Sequence, residues 1–116
     1  MELRRVVVTG LGALTPIGNN IQEYWNGLIN SVSGAAPITY YDPSKFRTHF
    51  ACEVKNFNVE DFIDRKEARK MDRYAQYALV AAEEAVQDAG FDFEKLDKDR
   101  VGVIWGSGIG GLETFQ

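Results

Sequence analysis

Two short stretches show little alternation of hydrophobic and polar residues, at 4–11 (RRVVVTGL) and at 101–105 (VGVIW). Runs of this kind, rich in β-branched residues, are typical of strands buried on both faces of a parallel sheet. Gly12 and Pro16 interrupt the pattern after the first run. The pattern therefore predicts two buried strands that are far apart in the sequence.

A helical pattern begins after Asn19 and Asn20, either of which is a good N-terminal cap. Gln22 or Glu23 then stands three residues further on, in the reciprocal position of a capping box. The Ser-Gly pair at 33–34 is predicted to end this helix. The apolar residues that would form one face of it are Ile21, Tyr24, Trp25, Leu28, Ile29 and Val32.

The pattern of residues 73–89 (RYAQYALVAAEEAVQDA) predicts a long helix, with alanines suited to close packing against a sheet and with Gly90 as its stop signal. Residues 50–54 fit a short strand. Asn58 is predicted to cap a further helix, because acidic residues follow it in the first turn. Residues 111–113 are predicted to begin another long helix.

This order of elements predicts an α/β fold with parallel strands joined by right-handed crossovers. Two parallel strands do not make a complete sheet, so we expect the sequence to be the opening portion of a larger domain. No internal repeat, low-complexity tract or linker interrupts it.

Composition narrows the classes of function. The net charge of the 116 residues is −4, so nothing global indicates nucleic-acid binding, and no apolar run reaches the roughly 18 residues that span a bilayer. The N-terminus lacks the apolar core and cleavage site of a signal peptide. Cys52 is the only cysteine, which excludes an intrachain disulfide. We therefore expect a cytoplasmic protein with no membrane or nucleic-acid partner.

The glycines at 106–111 (GSGIGG) match the dinucleotide-binding pattern G-x-G-x-x-G. That site usually also needs an acid about 20 residues further on, and Glu113 is too close to serve. The earlier loop at 10–15 fails because Thr15 stands in the last glycine position. A nucleotide-binding α/β domain remains one alternative. The other is that the glycines let the backbone turn tightly and approach another chain or a ligand closely.

Three stretches carry a resemblance: RRVVVTGLGALTPIGN at 4–19, RKEARKMDRYAQYAL at 65–79 and VGVIWGSGIGGLETFQ at 101–116. Together they resemble the N-terminal part of the β-ketoacyl-acyl-carrier-protein synthases, most closely those of type II. The resemblance implies the thiolase fold, with α-β-α-β-α layers and a mostly parallel sheet, and a homodimer. It also implies that residues 1–116 are a partial N-terminal domain, truncated before the catalytic cysteine.

The activity that the resemblance implies is decarboxylative condensation of an acyl chain with malonyl-acyl carrier protein in fatty-acid elongation. The implied partners are acyl carrier protein and its fatty-acyl and malonyl thioesters. The substrate brings its own phosphopantetheine, and no further cofactor, nucleotide or metal is implied. The family's catalytic cysteine and histidines lie later in the chain, so neither Cys52 nor His49 matches them, and this segment alone is expected to be inactive. The alternative is a noncatalytic partner of the same fold, such as a chain-length factor or a carrier-protein-binding subunit.

The resemblance also implies two sites. Ile109, between Gly108 and Gly110, matches a residue that gates the acyl pocket; the alternative is plain packing in a core or dimer interface. Lys66, Arg69 and Lys70 match the patch that docks the acidic carrier protein. The alternative for that patch is a solvated helix face whose charges pair with Asp64, Glu67 and Asp72.

Overall fold

In the computed structural model, which describes residues 3–115, the first helix, α1, spans Ile21–Ile29. Asn20 caps it, because its side-chain oxygen accepts a hydrogen bond of 2.8 Å from the Glu23 backbone N–H. The Glu23 carboxylate in turn accepts a 2.8 Å hydrogen bond from the backbone N–H of Asn19. The predicted helix start is confirmed, with the cap at Asn20.

The end of α1 comes earlier than the sequence pattern predicts. The Val32 N–H donates to the Gly27 carbonyl at 2.9 Å, and the Ser31 N–H donates to the Leu28 carbonyl at 3.1 Å. Ser31 has the left-handed φ of 55° that this Schellman arrangement requires. A serine therefore ends the helix where glycine would be the ordinary choice, and the predicted Ser-Gly stop at 33–34 lies beyond it.

The long helix, α3, spans Arg73–Ala89 as predicted. Gly90 ends it in the left-handed conformation, with φ of 62°. A short helix, α2, precedes it at Arg65–Ala68, and the Asp64 side chain caps α2 by accepting a 2.9 Å hydrogen bond from the Lys66 N–H. Asn58 caps only a single 3₁₀ turn, at Val59–Asp61.

The sheet that the structure describes in residues 3–115 has two short antiparallel strands, β1 at Ala36–Pro37 and β2 at Phe50–Ala51. Strand β2 is shorter than the predicted 50–54. Next to it, the Glu53 carboxylate accepts hydrogen bonds from the Thr39 hydroxyl at 2.7 Å and from the Thr39 N–H at 3.0 Å. These bonds lower the pKa of Glu53, because they favour its ionised form.

The strands predicted at 4–11 and 101–105 are not formed within the described residues. Both segments lie at the surface, with Val6 92% exposed and Ile104 99% exposed. A strand requires ladder hydrogen bonds to a neighbour, and these two segments are paired neither with each other nor with β1 or β2. The parallel strands predicted here therefore do not appear among residues 3–115, whose two short strands are antiparallel. Where a further long helix is predicted to begin, Leu112–Phe115 forms a 3₁₀ turn.

The buried apolar centre of the described chain is small and lies on α2 and α3. It consists of Ala68, Val80 and Ala81. Because alanine has so short a side chain, other segments can approach the backbone of α3 closely. The alanine-rich face predicted for close packing is therefore confirmed, although a loop packs on it and not a sheet.

Candidate functional site

The loop that follows residues 4–9 lies directly on the backbone of α3. A Cβ atom built on Gly12 would be 2.0 Å from the carbonyl oxygen of Ala81, and one built on Gly10 would be 2.3 Å from the carbonyl oxygen of Ala85. No side chain fits at either position, because the obstructing atoms belong to the backbone of a helix. At these two glycines the loop backbone therefore approaches a helix of the same chain, whereas the alternative stated from the sequence is an approach to another chain or a ligand.

Two carboxylates of α3 accept hydrogen bonds from the backbone N–H groups of this loop. The half-buried Glu84 accepts hydrogen bonds of 2.8 Å from the N–H of Ala13 and of 2.8 Å from the N–H of Ile21, the first residue of α1. Asp88 accepts a 2.8 Å hydrogen bond from the N–H of Leu11. A phosphate group would need these same donors and would be repelled by both carboxylates. The geometry therefore argues against a phosphate cradle in the first glycine loop.

The second glycine-rich segment, residues 106–111, contains the predicted gate. Ile109 is 77% exposed and lines a shallow cavity of about 180 Å³ beside the first residues of α3. Nothing lies within 4 Å of a Cβ built on Gly108, whereas one built on Gly110 would be 2.7 Å from the ring of Tyr74. The structure thus gives Ile109 one neighbour in open space and one pressed against an aromatic ring.

This second segment also offers poor conditions for a phosphate. Gly111 has the left-handed φ of 75°, and a Cβ on it would lie 2.7 Å from a carboxylate oxygen of Asp72. A fixed negative charge beside the backbone disfavours a bound phosphate. The cavity that Ile109 lines includes this carboxylate. Neither glycine loop therefore has the electrostatics of a nucleotide site.

The predicted docking patch lies on α2 and the turn that follows it. Lys66, Arg69 and Lys70 are all exposed. The Lys70 ammonium pairs with Glu67 at 2.6 Å, so one of the internal pairs expected of a plain solvated face is present. Within residues 3–115, Lys66 and Arg69 form no ion pair with an acidic side chain. Two of the three predicted cations therefore have no acidic side chain of the described chain paired with them.

The structure brings the two predicted sites to neighbouring positions. Lys70 ends the basic patch, and Asp72, two residues later, already lines the cavity beside Ile109. Asp72 is the residue before α3, and Arg73 is the first residue of that helix. The Arg73 guanidinium lies over the Tyr40 ring, 4.8 Å from its centroid.

Tyr77 lies one helical turn after Arg73. Its pKa is raised, mainly because the side chain is partly buried and secondly because of Tyr40.

Cysteine and histidine side chains often supply catalysis, and Cys52 and His49 both lie at the surface. Cys52 is an exposed free thiol, and the exposed His49 has its Nε2 atom 2.6 Å from the Phe46 carbonyl oxygen. No group of histidine, cysteine and acidic side chains among residues 3–115 could hold a metal ion. No helix within that range is long and apolar enough to cross a membrane.

Sequence reasoning missed Glu84 and Asp88 as residues that fix the glycine loop. A faint signal exists, because two acids at i and i+4 on the alanine-rich helix lie on one face. The missed partner of the glycine-rich segment is Asp72. The sequence offered it only as an ion-pair partner of the basic patch, and its observed contacts are with Gly111 and Thr114.

Comparisons with known proteins cover nearly the whole chain. A family model described as "Beta-ketoacyl synthase, N-terminal domain" matches residues 3–116. The 3-oxoacyl-(acyl-carrier-protein) synthase 2 of Staphylococcus aureus strain COL is 54% identical over 113 residues, which are 97% of this chain and 27% of that protein. The protein of the same name from Synechocystis sp. is 47% identical over 116 residues, 100% of this chain and 28% of that one.

Two solved structures are similar in three dimensions. The ishigamide ketosynthase/chain length factor matches with a TM-score of 0.72 and 43% identity, over 80% of this chain and 23% of that one. A type II polyketide ketosynthase complex with its acyl-carrier protein, AntDE:AntF, matches with a TM-score of 0.59 and 26% identity, over 78% and 23%. The chain thus spans 27% of the length of the Staphylococcus aureus synthase and 28% of the length of the Synechocystis protein.

Proposed function

We propose, from the fact that this chain belongs to the β-ketoacyl synthase family, that it is the N-terminal part of an enzyme that elongates fatty acids. The reaction is decarboxylative condensation of an acyl chain with malonyl-acyl carrier protein. The match of the family's N-terminal domain to residues 3–116 carries this proposal. The identity of 54% to a synthase 2 from Staphylococcus aureus favours the elongating type within the family.

The fold of the chain is ketosynthase-like, and thus of the thiolase-like α/β class. For the complete protein we propose the five layers α-β-α-β-α of this fold, with residues 4–11 and 101–105 as strands of a mostly parallel sheet. We also propose that the complete protein is a homodimer. The exposure of Val6 and Ile104 supports this proposal, because apolar β-branched runs of this kind are ordinarily buried. In the proposed enzyme, residues outside this chain form the thioester bond and activate the malonyl group.

The basic patch on α2 supplies the docking surface for the carrier protein. Acyl carrier protein is acidic, and the unpaired charges of Lys66 and Arg69 would steer it and fix its orientation. Its phosphopantetheine arm then carries the thioester, so the proposal needs no separate cofactor. The AntDE:AntF structure supports the proposal, since in that complex a ketosynthase binds an acyl-carrier protein.

Reversing the charge of this patch tests the docking surface. We expect Lys66→Glu combined with Arg69→Glu, in the complete protein at low ionic strength, to raise KM for carrier-linked substrate by about tenfold, with kcat little changed. The reason is that two attractive charges become repulsive without touching the reacting atoms. Steady-state kinetics with acyl-carrier protein and with a small acyl thioester, compared side by side, measure the effect.

The matched control is Lys95→Glu combined with Lys98→Glu. These exposed lysines follow the far end of α3, whose 17 residues span about 25 Å, and both form surface ion pairs that contribute little stability. The control should leave both KM values unchanged. An unchanged KM for carrier-linked substrate in the Lys66/Arg69 variant would remove the patch from the proposal.

Ile109, between Gly108 and Gly110, is the proposed gate of the acyl pocket. Its flanking glycines allow the segment to move, and Gly108 has open space around it. We expect Ile109→Ala to raise kcat/KM for long acyl chains relative to short ones by about tenfold, because it removes the side chain that limits the pocket. The conservative variant Ile109→Val should change this ratio by less than about threefold. A ratio that stays constant in both variants would count against the gate.

A noncatalytic partner of the same fold is the second candidate. The ishigamide structure supports keeping this candidate, because its name gives a chain length factor beside a ketosynthase. The discriminating measurement is condensing activity of the complete purified protein, together with trapping of an acylated cysteine by mass spectrometry. An active protein with an acyl-cysteine supports the enzyme, whereas carrier-protein binding without either supports the partner.

A further inference from the structure

The turn between α2 and α3 holds the end of the glycine-rich segment through one carboxylate. The Thr114 hydroxyl donates a hydrogen bond to Asp72 Oδ1. The other oxygen, Oδ2, would lie 2.7 Å from a Cβ built on Gly111. Because Gly111 also has φ of 75°, the backbone at this point fits the Asp72 side chain only without a side chain of its own. Asp72 therefore contacts Gly111, the last residue of the segment, and Thr114 just after it.

The fixation of this segment is uneven along its length. The Tyr74 ring packs on Gly110, with its Cε1 atom 2.7 Å from the position of a Cβ, while nothing lies within 4 Å of such an atom on Gly106 or Gly108. Among residues 3–115, the contacts that fix the glycine-rich segment are thus found after Ile109, at Gly110 and Gly111. Such contacts beside a gating residue influence where that residue rests and how far it moves.

We propose that Asp72, supported by Tyr74, is a positioning residue that sets the resting place of Ile109 and thereby the length of acyl chain accepted. This inference rests on the proposed function, in which Ile109 gates the pocket. Asp72 acts through Gly111 and does not touch the substrate. Asp72 also lies two residues after Lys70 of the docking patch. The turn from Lys70 to Asp72 therefore lies between the docking patch and the cavity that Ile109 lines.

Removing the hydroxyl of Thr114 tests this with the least disturbance. Thr114→Val keeps the shape of an exposed side chain and deletes the hydrogen bond to Asp72, whereas Thr114→Ser keeps the bond. In the complete protein we expect Thr114→Val to speed amide hydrogen exchange across residues 106–112 and to raise the long-to-short ratio of kcat/KM, each by about tenfold, the equivalent of one hydrogen bond to a charged group. Thr114→Ser should restore both values.

Asp72→Ala is the second variant, with Asp99→Ala as its control, an exposed carboxylate in the 3₁₀ turn Lys98–Arg100. The same two shifts are expected for Asp72→Ala and neither for Asp99→Ala. Unchanged exchange and an unchanged chain-length ratio in both Thr114→Val and Asp72→Ala would overturn the inference. An unmodified protein without condensing activity would instead overturn the proposed function, and with it the acyl-length role, whatever the exchange rates show.

Discussion

Gly12→Ala is expected to lower the free energy of unfolding by at least about 3 kcal/mol. The added Cβ would lie 2.0 Å from the Ala81 carbonyl oxygen and 2.8 Å from the Ala85 backbone nitrogen. Both atoms belong to the middle of α3, so neither can move away as the end of a flexible side chain could. The loop would have to lift off the helix and lose its hydrogen bonds to Glu84 and Asp88. Denaturant unfolding of the purified protein measures the loss.

Lys95→Ala is the control for this change. It also introduces an alanine, at an exposed residue beyond the end of α3 whose surface ion pair with Asp92 contributes little stability. We expect its effect to stay within about 0.5 kcal/mol. Equal stabilities for the Gly12 and Lys95 variants would mean that the loop does not rest on α3 as described.

The helices follow from signals that lie within a few residues. Asn20 caps α1 and Gly90 ends α3 as the sequence predicts, because a cap and a left-handed stop depend only on nearby backbone groups. Ser31 shows the limit of such rules, since its φ of 55° is imposed by the hydrogen bonds of Val32 and of Ser31 itself. Nothing in the residue type announces that conformation.

The strands could not be predicted in the same way. The apolar runs at 4–11 and 101–105 indicate a buried strand, but the pattern of a single segment does not name the neighbour that supplies its ladder. In the described chain these runs remain unpaired and exposed. Their strand character belongs to the layered fold proposed for the complete protein. Tertiary pairing, unlike a helix cap, is therefore beyond the reach of local pattern.

The candidate site also has features that the sequence predicts and features that only the structure shows. The positive charge near α2 is visible in the sequence, but only the structure separates Lys66 and Arg69 from Lys70, which Glu67 partly neutralises. The glycines at 106–111 match a nucleotide-binding pattern in the sequence. Only the structure shows the carboxylate of Asp72 against Gly111, where its charge disfavours a bound phosphate. Such long-range contacts, 39 or more residues apart in sequence, leave no periodic trace.

Glu84→Ala is expected to lower the free energy of unfolding by about 2–4 kcal/mol. The carboxylate joins three elements, because it lies on α3 and accepts hydrogen bonds of 2.8 Å from both Ala13 and Ile21. The second of these N–H groups belongs to the first turn of α1, where a negative charge also interacts favourably with the helix dipole. Thermal and denaturant unfolding of the complete protein measure the loss.

Two further variants decide whether the paired acceptors cause this effect. Glu84→Gln keeps one acceptor oxygen and turns an N–H₂ group towards the other donor, so we expect roughly half the loss of the alanine variant. Glu83→Gln makes the same change on the exposed neighbouring residue, whose carboxylate accepts a hydrogen bond from Gln87 one turn further along the helix, and should cost less than about 0.5 kcal/mol. If both glutamine variants were equally stable, the connection from α3 to α1 would contribute nothing measurable, and the position of the glycine loop would have to depend on the fit of Gly10 and Gly12 alone.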